Sequence, residues 1–293
     1  MRLVKPTFEI IEQENTLTGM KKHIERAART CYKSEDLITD DSAIKMVARL
    51  AKSKHYAMLE HATIYLAMPL DTLLPITSNP WYKYEENPYS KGGCVCELDG
   101  DKRIAYTTNL RVICENGWED DLKYMCEPTE YHEKRVTVKF ITDQGVLREF
   151  TRHRVFSFAV ESTRYCNYGK DKFGNEVSFI IPTWCNGVEE GVDYDFNGIN
   201  NRMTLMPTEL SFLRSLRESE NTYMRLLDMG WKPEQARNVL PLATKCEIVM
   251  TGFVPDWEHF FELRAKGSTG KPHPQAEELA LPLMEEFINR GIL

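Results

Sequence analysis

The sequence predicts a mixed α/β fold of the α+β kind, a mainly antiparallel sheet with helices packed against it. Three observations predict it. Apolar and polar residues alternate from Lys134 to Ile141, the period of a strand with one buried face. Apolar residues recur at helical spacing from Ser42 to His55 and from Thr208 to Met229. The two kinds of segment follow one another without the regular strand–helix–strand rhythm of a parallel sheet.

The elements follow in order. Asp41 or Ser42 caps the first of these helices, which puts Ile44, Val47, Ala48 and Ala51 on one face. Ala62 to Met68 is rich in β-formers and reads as a strand. Residues 80–130 are aromatic, cysteine-bearing and rich in Asn, Gly and Asp. They read as a variable insertion with short elements of its own, either a lid or a surface elaboration. In the strand from Lys134, Val136, Val138 and Phe140 form the inner face, and Arg135, Thr137 and Lys139 the outer one. Asp143-Gln144-Gly145 turns the chain and caps a short helix from Val146 to about Arg152. On that helix Arg148 shares a face with Arg152, and Glu149 with His153. Gly230 closes the long helix from Thr208, and Pro233 opens another that Pro241 ends. Ala243 to Met250 reads as a strand with Cys246, Ile248 and Met250 on one side. Pro255 or Asp256 starts a helix whose Trp257, Phe260, Phe261 and Leu263 serve the core. Pro274 starts the last helix and Gly291 ends it. No repeat or low-complexity linker divides the chain, so residues 1–293 read as a single domain.

Hydrophobic content of 42% allows a sizeable core. No apolar run approaches the roughly 18 residues of a membrane span, and the start of the chain lacks the apolar stretch of a secretory leader. A cytoplasmic protein without a membrane partner is expected. The eight cysteines are scattered, as reduced thiols are. Cys94-Val95-Cys96 is half of a metal site, but no second pair completes it, and no metal is expected. Gly267-Ser268-Thr269-Gly270-Lys271 lacks the glycine spacing of a phosphate loop and runs into Pro272, so it is set aside.

One stretch carries the chemistry. From Arg152 to Tyr165 the chain packs three arginines, a histidine and several hydroxyls into fourteen residues. Dense fixed positive charge in a chain of net charge −7 calls for a small, multiply charged anion. A nucleic-acid backbone would want a broad basic face instead. Arginine suits phosphate because its planar fork donates two parallel hydrogen bonds. Ser162 and Thr163 add donors beside Arg164. Arginine clusters are more often solvated surface turns, so the reading rests on the whole pattern.

That pattern is Arg152-His153-Arg154, seven residues, then Ser162-x-Arg164-Tyr165. It resembles the signature of the flavin-dependent thymidylate synthases. Met58-Leu59-Glu60-His61-Ala62-Thr63, Ala236-Arg237-Asn238-Val239-Leu240-Pro241 and the run from Trp257 to Arg264 are similar to three further segments of that family, in the family's order. The resemblance runs from about residue 40 to 290 and is poorest over 80–130. It implies a flavin-dependent thymidylate synthase-like fold in a single catalytic domain. It implies reductive methylation of dUMP to dTMP, with 5,10-methylenetetrahydrofolate as carbon donor, FAD as hydride carrier and NADPH as its reductant. It puts Glu149, Arg152, Glu161, Ser162, Thr163, Arg164, Arg237 and Arg264 at dUMP. Arg264, as the catalytic group, would favour the ionised N3–O imide of the uracil. Thr63, Arg152, His153, Arg154 and His259 are put at FAD, with weaker contacts at Phe253, Val254 and Pro255. A homotetramer with sites at subunit interfaces is implied, with Arg164 of one subunit facing Arg237 and Arg264 of a neighbour.

Two departures stand out. Family members often carry amide or acidic residues where this chain has Ala159 and Val160. No Pro-Cys-His context surrounds any cysteine, so the route through a cysteine nucleophile is not expected, and Cys166 reads as passive. Two other readings remain open. A flavin oxidoreductase that binds a nucleotide without methylating it would keep every arginine motif. A nucleotide-sensing or RNA-binding module would not contain flavin.

Overall fold

The computed structural model describes residues 1–98, 100–194 and 205–293. Its centre is a four-stranded antiparallel sheet. The strands, in spatial order, are β2 (Thr7–Ile11), β6 (Arg135–Asp143), β9 (Lys245–Phe253) and β7 (Ser157–Val160). The register pairs Arg135 with Phe253 at one end of β6 and Asp143 with Lys245 at the other. Ser157 lies opposite Thr251 and Val160 opposite Ile248. On one face Val138, Phe140, Ile248 and Met250 meet Trp257, Phe260, Phe261 and Phe287. These last come from the helices Val254–Arg264 and Pro274–Asn289.

The reading of β6 as half-buried needs correction. Val138 and Phe140 are buried as expected, but Thr137 on the opposite face is 5% exposed. Helix α1 (Leu17–Tyr32) covers that face and brings polar partners to it: His23 Nε2 lies 2.9 Å from Thr137 Oγ1. Alternation of polarity marks two different faces; it does not say that the polar one is wet.

A second antiparallel sheet joins β3 (Thr63–Pro69), β5 (Asp101–Asn109) and β4 (Lys91–Leu98). Two of its three strands, and helix α3 (Leu110–Asn116), come from residues 80–130. Ile104, Tyr106, Val112 and Ile113 of that segment lie in one core with α1 and α2 (Ser42–Lys52). The helix α2 buries Ala43, Val47 and Leu50, while Ile44 is 50% exposed. The expected face was thus turned by one residue, because two apolar rows compete on this helix and packing against α1 chose between them. A short parallel pair, β1 (Arg2–Val4) with β8 (Ser178–Ile180), lies under the long helix Pro207–Asp228. The segment after Pro233 is tighter than expected, one helical turn to Ala236 and then a 3₁₀ turn, Arg237–Val239. No described helix is long and apolar enough to cross a membrane.

Candidate active site

The short helix α4 (Gln144–Phe150) organises two clefts. Buried Asp143 caps it, accepting from Val146 N–H at 2.7 Å, and its other oxygen takes Gln275 Nε2 at 2.6 Å. The helix is therefore fixed to the sheet below and to the last helix beside it. Arg148 points into one cleft and Glu149 into the other.

On the Glu149 side, Arg264 closes the helix Val254–Arg264 and reaches back across 115 residues of sequence. Its Nη1 donates to the Glu149 carboxylate at 2.6 Å, its Nη2 to the Glu149 carbonyl at 3.0 Å, and its Nε to His153 Nε2 at 3.2 Å. Burial, helped by the Arg264 and His259 charges, pushes the His153 pKa down to about 4. The ring is neutral at physiological pH, and accepting at Nε2 leaves its proton on Nδ1. Its centroid lies 5.0 Å from that of Phe260, which belongs to the core as expected. Arg264 and Glu149 open on a cleft of 490 Å³ walled by Thr269, Gly270 and Lys271. The loop set aside as a phosphate loop thus forms a wall of the site. At Gly267 a Cβ would lie 2.8 Å from Pro272, so glycine sets this turn.

On the Arg148 side, the signature turns after β7. Glu161 N–H donates to Glu247 O at 2.8 Å and Ser162 N–H to Cys31 O at 2.9 Å. Arg237 Nη1 then donates to Thr163 Oγ1 at 3.0 Å. These two line a cleft of 390 Å³ with Arg148 and Gln144. Arg164 stands outside, its guanidinium 5.3 Å from the Tyr165 ring and its Nε 3.9 Å from Glu234.

A third opening was not foreseen. A groove of 1000 Å³ runs between α1, α2 and the signature. Tyr32, Leu37, Met46, Met58, Val160 and Tyr165 give it an apolar lining, with Lys45 and Arg49 also on its walls. The Tyr32 and Tyr165 rings are 5.2 Å apart. The charged residues of α2 look in sequence like an ordinary solvated helix face; only the packing of α2 beside the signature reveals them as a wall.

A family model described as thymidylate synthase complementing protein matches residues 129–289, more than half of the 293. The chain belongs to that family. A probable flavin-dependent thymidylate synthase of Paramecium bursaria Chlorella virus 1 is 27% identical over 146 residues, covering 47% of this chain and 60% of that protein. A flavin-dependent thymidylate synthase of Halobacterium salinarum is 29% identical over 131 residues, covering 42% and 51%. The matched stretches thus span little more than half of these relatives. A UMP/dUMP methylase from Streptomyces cacaoi superposes with a TM-score of 0.45 at 18% identity, covering 99% of this chain and 92% of that one.

Within this family member the expected site residues fall into separate groups. Glu149, His153 and Arg264 are bonded together, with exposed His259 placing its ring 6.2 Å from that of His153. Thr163 and Arg237 are bonded together, with Arg164 alongside. Ser162 lines the apolar groove. Arg152 and Arg154 are exposed and make no side-chain hydrogen bond or ion pair among the described residues. Glu161 is 3% exposed and takes Lys245 Nζ at 2.8 Å and the Tyr168 hydroxyl at 3.1 Å, so its carboxylate anchors the loop from below. Thr63 is 5% exposed: Gln13 bonds its backbone on both sides, and Arg135 Nη1 lies 3.4 Å from its hydroxyl. The apolar departures find their use. Ala159 packs in the core with Val249, and Val160 lines the groove. Cys166 is buried, and burial with the nearby Glu161 charge pushes its thiol up to about 12.

Proposed function

We propose that the chain is a flavin-dependent thymidylate synthase that converts dUMP to dTMP, working in the cytoplasm as a homotetramer. The observation that carries this reading is the convergence of distant signature segments on α4: Thr163 with Arg237 on one side, Glu149, His153 and Arg264 on the other.

In this reading Arg237 and Thr163 hold the nucleotide phosphate and sugar, with Arg164 and Ser162 beside them. Arg264 is the activating group. Its fork is aimed by Glu149 and by neutral His153, so a guanidinium edge faces the cleft in a fixed orientation. A fixed cation beside a uracil ring favours the ionised N3–O imide and stabilises charge that develops as C5 becomes nucleophilic. His153 is held neutral, so it aims the guanidinium without competing as a second cation.

The groove suits FAD by its chemistry. A planar three-ring system needs a large apolar cleft, and the groove supplies one next to Ser162 and Tyr165. Lys45 and Arg49 make no side-chain ion pair among the described residues and offer charge for a pyrophosphate. Bound FAD supplies the hydride that turns a methylene from 5,10-methylenetetrahydrofolate into the methyl group, with NADPH as reductant. His153 bonds Arg264 and His259 stands beside His153, while none of Arg152, His153, Arg154 and His259 is among the described residues that line the groove, so in this reading one cofactor meeting them and the groove needs more than one subunit. That requirement, and the exposed, unpaired Arg152 and Arg154, support assembly with sites at interfaces.

The test is reconstitution with excess FAD, followed by addition of dUMP, then of methylenetetrahydrofolate and NADPH. A flavin absorbance band that shifts with dUMP, and dTMP as product, are expected. A protein that stays colourless refutes the reading; a yellow protein that makes no dTMP is an oxidoreductase instead.

A further inference from the structure

We infer that Arg148 is a phosphate ligand for the nucleotide, a role resting on the thymidylate synthase reading above. The cleft between α4 and the turn after Pro233 has an unusual charge balance. Arg148 and Arg237 both line it, and none of the described residues that line it is a carboxylate. Thr163, Gln144 and Asn238 add only neutral polar groups. The Arg264 cleft on the other side of α4 differs, since there Glu149 neutralises the guanidinium directly. Arg148 is exposed and makes no side-chain hydrogen bond or ion pair among the described residues. Arg237 spends one donor on Thr163 and makes no other side-chain hydrogen bond among the described residues. Two uncompensated guanidiniums in one polar cleft of 390 Å³ fit a dianionic phosphate monoester.

The cleft is built rather than accidental. Gln144 N–H donates to Leu242 O at 2.9 Å and lies 3.2 Å from Thr244 O, tying the start of α4 to the opposite wall. Thr244 Oγ1 donates to Pro241 O at 2.7 Å and fixes that wall in turn. Asp143 caps the helix that carries Arg148. Arg148 therefore stands on a rigid support, yet its own side chain supports nothing. Phosphate could come from the nucleotide or from the flavin pyrophosphate. Thr163 and Arg237, which share the cleft, assign it to the nucleotide.

The experiment compares R148Q with wild type by calorimetry, using dUMP, deoxyuridine and FAD, together with turnover. Thermal stability should be unchanged, because no protein contact is lost. The affinity for dUMP should fall about ten- to a hundred-fold, the loss expected for one charge-assisted contact. Deoxyuridine and FAD should bind as before, and R148K should recover part of the dUMP affinity. Equal weakening of dUMP and deoxyuridine, a loss of FAD affinity alone, or wild-type dUMP affinity in R148Q would each overturn the assignment. Inorganic phosphate, followed by ³¹P line broadening, separates the two layers of the argument. Wild type that binds phosphate at Arg148 but ignores dUMP defeats the enzyme reading and leaves an anion site; wild type that binds neither defeats both.

Discussion

Arg264 shows what one residue contributes here. Three of its nitrogens are used at once: on the Glu149 carboxylate, the Glu149 carbonyl and His153. Lysine has the charge but a single rotatable ammonium in place of the fork. R264K should therefore keep the fold and bind dUMP, yet lose the fixed direction of its charge. Turnover should drop about ten- to a hundred-fold, with a smaller change in KM, since a contact felt in the transition state is worth roughly 1.5–3 kcal/mol. Steady-state kinetics of R264K decide it, and near-wild-type kcat excludes Arg264 as the activating group. The reading of Arg264 as a site residue came from its Trp-x-x-Phe-x-x-Leu-Arg context. Its bond to His153 was not, because no local pattern links positions 111 residues apart. Glu161 shows the reverse case. It sits inside the signature, but Lys245 holds it beneath the loop, and Lys245 becomes its partner only once β9 is laid beside β7.

At the scale of elements, a buried polar chain joins α1, the central sheet and the 3₁₀ turn Tyr56–His61. His23 Nε2 meets Thr137 Oγ1 at 2.9 Å, Thr137 Oγ1 meets Thr251 Oγ1 at 2.8 Å, and Thr251 Oγ1 meets His61 Nδ1 at 2.8 Å. Burial lowers the His23 pKa to about 4 and the His61 pKa to about 3, with the Arg135 charge adding to both. Both rings are neutral in the folded protein. The unfolded chain binds their protons near the ordinary value of 6.5, so acid favours unfolding. Stability from these groups is complete above pH 6.5 and is lost as pH falls toward the folded values. At pH 5 the loss is of order 2 kcal/mol for each ring. Denaturant unfolding from pH 7.5 to 5 should thus show a falling midpoint, and H23Q should flatten that slope. A slope that stays the same in H23Q rules His23 out. The sequence displayed both histidines and both threonines, but with no sign that they touch. The helix, the sheet and the 3₁₀ turn had to be stacked before these four polar side chains could reach one another.

For the whole molecule the question is how the clefts combine. The sequence led us to expect Arg164 facing both Arg237 and Arg264 of a neighbour. The chain itself brings the signature loop to Arg237, through the bond from Arg237 to Thr163, while Arg264 opens on a cleft that shares no lining residue with theirs. We therefore propose that Arg164 and Arg237 act together within one subunit and that a neighbour supplies Arg264. R164A and R264A should each be nearly inactive. When the two are co-expressed and exchange at random, about a quarter of the sites should pair an intact loop with an intact Arg264 and recover activity. R164A mixed with R237A should recover almost none, because in this proposal both residues serve a site from the same subunit, and every subunit then carries one lesion. Activity from the second mixture, or none from the first when mixed oligomers are verified by mass spectrometry, defeats this architecture.

The sequence by itself determined the α+β class, most of the strands and helices, and the arginines proposed for the site. These properties are local: period, capping residues and short motifs are written in neighbouring positions. Tertiary structure decided which faces are covered. It turned α2 by one residue and buried both sides of β6, because packing partners come from elsewhere in the chain. It gave residues 80–130 two strands of the second sheet. It also sorted the proposed site, sending Glu161 and Thr63 inward, separating Arg237 from Arg264, and exposing Arg148 in a cleft with no carboxylate among its described lining residues. Charge balance in a cleft depends on side chains converging from distant segments, and only the folded backbone sets which of them meet.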